Sequence, residues 1–281
     1  MKRFFALTLA VLMIVACFAG CGKDNDGDTT TTTTGTPTSD NTAKIATVGY
    51  TIYEPMNYEE NGELVGFDTE LAKAVFNKLG YTVVFKLIDW DQKYTELNSG
   101  AITCIWNGFT ANTADDDGVA RADKVDFSYN YMGNKQVLVA KADLAANITD
   151  TNSLSGKVGA VENSSAGDTY LTQKLTGAIK KGVTSQLDAM KELSMGAVDF
   201  VVVDEQLAKA YVGKGDYAAL KIAEKVYSDA EYYAIGFKKG SELTANVNAA
   251  LEALASDGTI TTLANKYGVS NTAIVDFSDQ K

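Results

Sequence analysis

Glu96-Leu97-Asn98-Ser99-Gly100-Ala101-Ile102 is answered later in the chain by Glu192-Leu193-Ser194-Met195-Gly196-Ala197-Val198. Each stretch closes a helical pattern, turns at glycine and enters an apolar run that reads as a strand. The two copies imply one winding pattern used twice. Around them, short β-like runs alternate with helical spacing from Ala43 onward, the mark of α/β architecture. Lys44–Tyr50, Tyr81–Ile88, Ala101–Trp106, Lys157–Val161 and Val198–Val203 read as strands. Helices are expected after Asp68, which can cap one ended by Gly80, around Tyr94–Leu97, over Gly167–Leu175 and over Ser185–Leu193. Open α/β sheets bind ligands beyond the carboxyl ends of their strands. Two such lobes facing each other make a cleft. Just past the relevant strand ends stand Asn107-Gly108-Phe109-Thr110 and Asp204-Glu205.

Composition narrows the chemistry. The 281 residues contain no histidine, so imidazole acid–base catalysis and His-ligated metal are excluded. Three cysteines cannot complete a four-thiolate zinc site. A hydrophobic share of 46% suits a cored globular protein. A net charge of −11 argues against nucleic acid as a partner.

The N-terminus reads as an address. Lys2 and Arg3 precede an uncharged run from Phe4 to Gly20, shorter than the roughly 20 residues of a spanning helix. Residues 1–20 are therefore expected to be a signal peptide of lipoprotein type. Phe18-Ala19-Gly20-Cys21 looks like a lipobox, with Cys21 preferred over Cys17 as the acylated residue because polar sequence begins straight after it. Residues 21–42, rich in Thr and Asp, cannot bury apolar surface and read as a disordered tether. A lipid-anchored, extracytoplasmic protein is implied. Cys104, in an apolar strand pattern, is expected to be a buried thiol.

Arg121 is the sole arginine beyond Arg3. A guanidinium pairs with carboxylate through two parallel hydrogen bonds, so Arg121 either receives a carboxylate ligand or pairs within its lobe with Asp115, Asp116 or Asp117. Asp204 either faces the cleft or caps the next helix. Tyr53 and Trp90, each after a strand, are either slot walls or core. The start of a helix after Glu162-Asn163-Ser164-Ser165-Ala166 either offers backbone N–H groups to an anion or is simply capped. Together these parts suit a free α-amino acid. Its carboxylate would lie on Arg121 and the helix start, its ammonium on Asp204, and its side chain between Tyr53 and Trp90.

From Lys44 to Gly268 the sequence resembles the family 3 extracellular solute-binding proteins, the polar amino-acid receptors of ABC importers. The motifs are Gly62-Glu63-Leu64-Val65-Gly66-Phe67-Asp68 with Glu70-Leu71-Ala72-Lys73-Ala74, Ile88-Asp89-Trp90-Asp91, Trp106-Asn107-Gly108-Phe109-Thr110, Val125-Asp126-Phe127-Ser128 and Asp257-Gly258-Thr259. The resemblance implies a periplasmic-binding-protein-like α/β fold: two Rossmann-like lobes joined by two crossover strands, with a ligand cleft between them. The crossings fall near Gly133–Gln136 and Glu231–Tyr233, giving residues 43–132 plus 234–281 to lobe 1 and residues 133–233 to lobe 2. It implies a monomeric, non-catalytic receptor without cofactor or metal, whose partners are a free amino acid and a permease.

Position by position, it makes Tyr53 and Trp90 stacking rings and Gly108 and Thr110 ligand contacts. Arg121, six residues before Phe127, becomes the carboxylate-binding arginine. Ser164 and Ser165 become backbone donors, and Asp204 the ammonium acceptor. One departure stands out. Arg121 lies eleven positions after Thr110, wider than the family spacing, with Ala114-Asp115-Asp116-Asp117-Gly118 between them. Tyr50, where cation-binding relatives often carry an acid, and apolar Val161 lean towards a neutral ligand, although aromatic rings also attract cations. The alternative is an enzyme of the cyclohexadienyl dehydratase type, with Glu54 or Glu205 as general acid.

Overall fold

The computed structural model describes residues 44–280; the expected signal peptide, Cys21 and the tether lie outside them. In chain order the elements begin β1 (Lys44–Tyr50), β2 (Tyr58–Glu60), β3 (Glu63–Val65), α1 (Phe67–Lys78), β4 (Tyr81–Leu87), α2 (Lys93–Ser99) and β5 (Cys104–Ile105). Next come α3 (Arg121–Lys124), β6 (Asp126–Phe127), β7 (Met132–Asn134), β8 (Gln136–Lys141), α4 (Ala142–Asn147), β9 (Val158–Glu162) and α5 (Ala166–Lys174). Then follow β10 (Ile179–Val183), α6 (Gln186–Met195), β11 (Phe200–Asp204), α7 (Glu205–Tyr211) and β12 (Leu220–Tyr227). The chain finishes with β13 (Glu231–Tyr233), β14 (Gly236–Phe237), α8 (Leu243–Ser256) and α9 (Thr259–Lys266).

Two five-stranded sheets result, ordered β4-β1-β5-β14-β6 and β10-β9-β11-β8-β12. In the first, β1 pairs in parallel with β4 and β5; in the second, β9 pairs in parallel with β10 and β11. A separate antiparallel pair, β7 with β13, carries the chain out of the first sheet and back into it. Each sheet with its helices is one lobe, and the two crossings are β7 and β13.

The repeated heptapeptide has the same physical cause in both lobes. Gly100 and Gly196 adopt left-handed φ of 78° and 77°, and each donates its N–H back into its helix. The next residue, Ala101 or Ala197, donates to Glu96 or Glu192. Without a Cβ, glycine takes this conformation at no steric cost, and the turn re-aims the chain into the sheet.

Three sequence expectations need correcting. Asp68 does not cap α1: Gly66 is the N-cap, and Asp68 sits inside the first turn, fully buried. The expected strand over Ala101–Trp106 narrows to Cys104–Ile105, although Thr103 and Trp106 still donate to the carbonyls of Thr47 and Gly49 on β1. Likewise, β11 begins at Phe200 rather than Val198. Cys104 is a buried free thiol, and burial pushes its pKa well up.

Candidate functional site

The carboxyl ends of β5, β9 and β11 converge on a small cavity between the lobes. The first lobe contributes Trp90, Asn107, Gly108, Thr110 and Arg121. The second contributes Gln136, Glu162, Gln186 and Asp204, together with Ser165, Ala166 and Gly167 at the start of α5.

Arg121 is the first residue of α3 and only 1% exposed. Its Nε donates to Asp115 Oδ1 at 2.8 Å, Nη1 to the Thr110 carbonyl at 3.2 Å, and Nη2 to the Ser164 carbonyl of the other lobe at 3.4 Å. Three of the five guanidinium N–H groups are thus committed, leaving two for a guest. Asp115 comes from the inserted loop and is also held by Tyr94 Oη at 2.6 Å and Lys124 Nζ at 2.9 Å. Burial works to raise the Asp115 pKa, but the Arg121 charge and these donors outweigh it and hold the carboxyl below its usual range. The two sequence readings of Arg121 are therefore compatible: the same side chain makes an ion pair and lines the cavity.

Asp204 ends β11 and occupies the N-cap position of α7, yet its side chain makes no cap. Its Oδ1 accepts from Asn134 Nδ2 and Gln136 Nε2, and its Oδ2 from Gln186 Nε2, each at 2.6 Å. These donors are neutral amides. Burial raises the Asp204 pKa and the amides only partly offset it. Glu231 behind it accepts from Gln136 at 2.9 Å and Asn134 at 3.2 Å. Burial and the Asp204 charge push Glu231 up to about 7 and Glu162 up to about 8. Asp204, a buried carboxyl held only by neutral donors, is poised for a cation.

The start of α5 faces these groups. Ser165 is its N-cap, with Oγ accepting from Asp168 N at 3.1 Å. Ala166 and Gly167 sit in the first turn, whose N–H groups lack intrahelical acceptors. That end carries partial positive charge suited to a carboxylate.

The other expected residues divide. Trp90 lines the cavity and packs edge-on to Phe109, centroids 5.5 Å apart. Asn107 lines it too, but its amide is spent on the Thr51 carbonyl and Asn57 Oδ1, tying loops together. Gly108, at φ 57°, donates its N–H to Asp68 Oδ2. A Cβ there would come within 2.7 Å of the Tyr53 ring, so only glycine lets that ring pack behind it. Thr110 gives its carbonyl to Arg121 and its hydroxyl to Glu231.

Tyr53 and Ser164 border the cavity without lining it. Tyr53 lies behind Gly108, its hydroxyl 2.7 Å from that of Tyr233 and close to Asp204, so of the two expected rings Trp90 alone lines the cavity. Ser164, at φ 57°, turns its N–H to Asp168 and its hydroxyl to Asp91 of the other lobe. It bridges the lobes, and its N–H is committed within its own lobe. Glu54 and Glu205 do not line the cavity either; Glu205 pairs with Lys135 and Lys209.

Four residues at or beside the cavity, Lys93, Gln136, Glu162 and Gln186, escaped the sequence reading. Glu162 could have been found by applying the strand-end rule to β9 as it was applied to β5 and β11. Gln136, inside a strand, and Gln186, at a helix start, carry no such signal. The buried Lys93 reads from sequence as a solvated helix residue.

The family model for bacterial extracellular solute-binding proteins, family 3, matches residues 46–270. The L-cystine-binding protein TcyA of Bacillus subtilis is 29% identical over 270 residues, covering 95% of this chain and 97% of its own. An ancestral arginine-binding protein, solved with arginine bound, is 34% identical with a TM-score of 0.72, covering 79% of this chain and 97% of its own. An ancestral amino-acid-binding protein described as a precursor of cyclohexadienyl dehydratase is 28% identical with a TM-score of 0.69, covering 79% and 94%. With the family match spanning most of its length and the two-lobe fold in place, the chain belongs to the bacterial extracellular solute-binding proteins of family 3.

Proposed function

We propose that this protein is the binding component of an amino-acid ABC importer. It closes its lobes, divided at 132/133 and 233/234, on a free α-amino acid and delivers it to a permease. One observation carries the reading: Arg121 of one lobe and Asp204 of the other line the same buried cavity. The ligand carboxylate takes the two remaining Arg121 N–H groups and the first turn of α5. The ammonium takes Asp204, and the side chain lies against Trp90. Closure then depends on ligand, because the carboxylate is shared between Arg121 of the first lobe and the α5 start of the second. Named relatives that take cystine and arginine support the ligand class.

The protein works as a monomer tethered to the outer face of the cell membrane through acylated Cys21. Thermal-shift screening of the soluble domain against the twenty amino acids tests the ligand class, since a ligand that binds only the folded form raises the melting temperature. Stabilisation by one or a few amino acids is expected, and a flat response to all twenty contradicts it. The dehydratase alternative finds no support in Glu54 or Glu205, which lie away from the cavity.

A further inference from the structure

Lys93 is a charged side chain only 1% exposed, at the start of α2 in the first lobe. Its Nζ donates to the Trp90 carbonyl at 3.3 Å and, across the cleft, to the Ser164 carbonyl at 3.0 Å. It lies 5.1 Å from the Trp90 ring centroid and 4.9 Å from that of Tyr94. Ser164 follows β9, whose last residue is Glu162, the second acid of the cavity wall. The protein thus carries its own ammonium, on its own tether, into the neighbourhood of the one lining carboxyl that the zwitterion reading leaves unused.

We propose that Lys93 determines specificity, supplying from within the protein the positive charge that Glu162 would otherwise take from a cationic ligand, so that the receptor selects amino acids with neutral side chains. This deepens the amino-acid reading above and rests on it. A lysine or arginine ligand would bring a third buried cation beside Lys93 and Arg121, and like charges at close quarters are disfavoured. Burial and the nearby Arg121 charge pull Lys93 down to about 8, while the Asp115, Glu162 and Asp91 charges oppose them, Asp115 most. In turn, the Lys93 charge partly opposes the burial and the Asp204 charge that push Glu162 up. The ammonium is held by the two carbonyls, one on each lobe, so the same contact favours the closed arrangement.

The test is calorimetric titration of L-glutamine, L-leucine, L-serine, L-lysine and L-arginine into the wild-type protein and into Lys93→Met. In the wild type, the tightest neutral amino acid should exceed both cationic ones by at least about tenfold. Lys93→Met should move that ratio by about tenfold or more towards lysine and arginine, and Lys93→Met/Glu162→Gln should remove the gain. Lys93→Gln, which keeps a donor for Ser164 without the charge, should shift the ratio the same way. Wild-type protein that prefers lysine or arginine, or a ratio unmoved in both Lys93 variants, overturns this inference and leaves the amino-acid reading standing. Failure of the wild type to bind any amino acid overturns both.

Discussion

The two poles of the cavity are built in opposite ways. Around Arg121 the protein balances charge with charge: Asp115 at 2.8 Å, itself shared with Lys124, and two carbonyls besides. Around Asp204 it offers neutral donors, the amides of Asn134, Gln136 and Gln186 and the Tyr233 hydroxyl. The arginine pole is therefore stable as it stands and serves to orient, whereas the aspartate pole carries an unmatched negative charge. An ammonium arriving there completes the structure. A zwitterion thus meets one finished half-site and one that needs it, which explains how a small molecule can decide between open and closed lobes.

Substitution at each pole separates them. Arg121→Ala removes the orienting fork and also strands Asp115 in a buried place, so we expect binding to fall beyond detection, a loss of at least ~3 kcal/mol, with a lowered melting temperature. Calorimetry showing unchanged affinity refutes the pocket. Asp204→Asn should cost about 2–4 kcal/mol in affinity but leave the ligand-free melting temperature level or raised, because a desolvated charge is removed from a site that lacked a counter-ion. Equal destabilisation by both variants erases the proposed contrast.

The poles should also answer pH in opposite senses. Glu162 and Glu231 rise from an ordinary 4.5 to about 8 and about 7. The folded state therefore holds their protons more tightly than the unfolded state, and ligand-free stability falls as pH climbs from about 4.5 towards 8. Asp115 is displaced downward, so its contribution is present above its ordinary 3.8 and is lost as pH falls through its lowered value. Melting curves across pH should show Glu162→Gln flattening the neutral-side decline and Asp115→Asn flattening the acid limb. Superimposable profiles for wild type and Glu162→Gln contradict the first expectation.

The smallest effect belongs to the inserted loop. Thr169 Oγ on α5 lies 3.3 Å from the Ala114 carbonyl and 3.2 Å from Asp116 Oδ1, placing the insertion across the mouth between the lobes. Thr169→Val should weaken binding by only about 0.5–1.5 kcal/mol, seen as faster dissociation in stopped-flow fluorescence. A loss as large as that of Arg121→Ala shows that the loop does more than brace the closed form.

Legibility in the sequence followed the physics of each residue. The winding of both lobes was readable because Gly100 and Gly196 leave a local, repeated signature. Arg121 and Asp204 were readable because a solitary guanidinium and a carboxylate at a strand end are unusual in kind. The surroundings of Tyr53 and Ser164 were not readable because they are set by Tyr233 and by Asp91 and Lys93, partners distant in the chain. Gln136 and Gln186 were invisible for the same reason. An amide that tunes a distant carboxylate leaves no periodicity behind it. The insertion before Arg121 was visible as a departure in spacing, but only coordinates reveal that it delivers Asp115 to the guanidinium.

Both poles are examined at once by titrating into wild-type protein the amino acid that stabilises it most, then its decarboxylated amine and its deaminated acid. Each analogue presents a single pole and leaves the other half-site empty, so each should bind at least about a hundredfold more weakly than the parent. If either analogue binds within a few-fold of the amino acid, the site does not grip a zwitterion between Arg121 and Asp204.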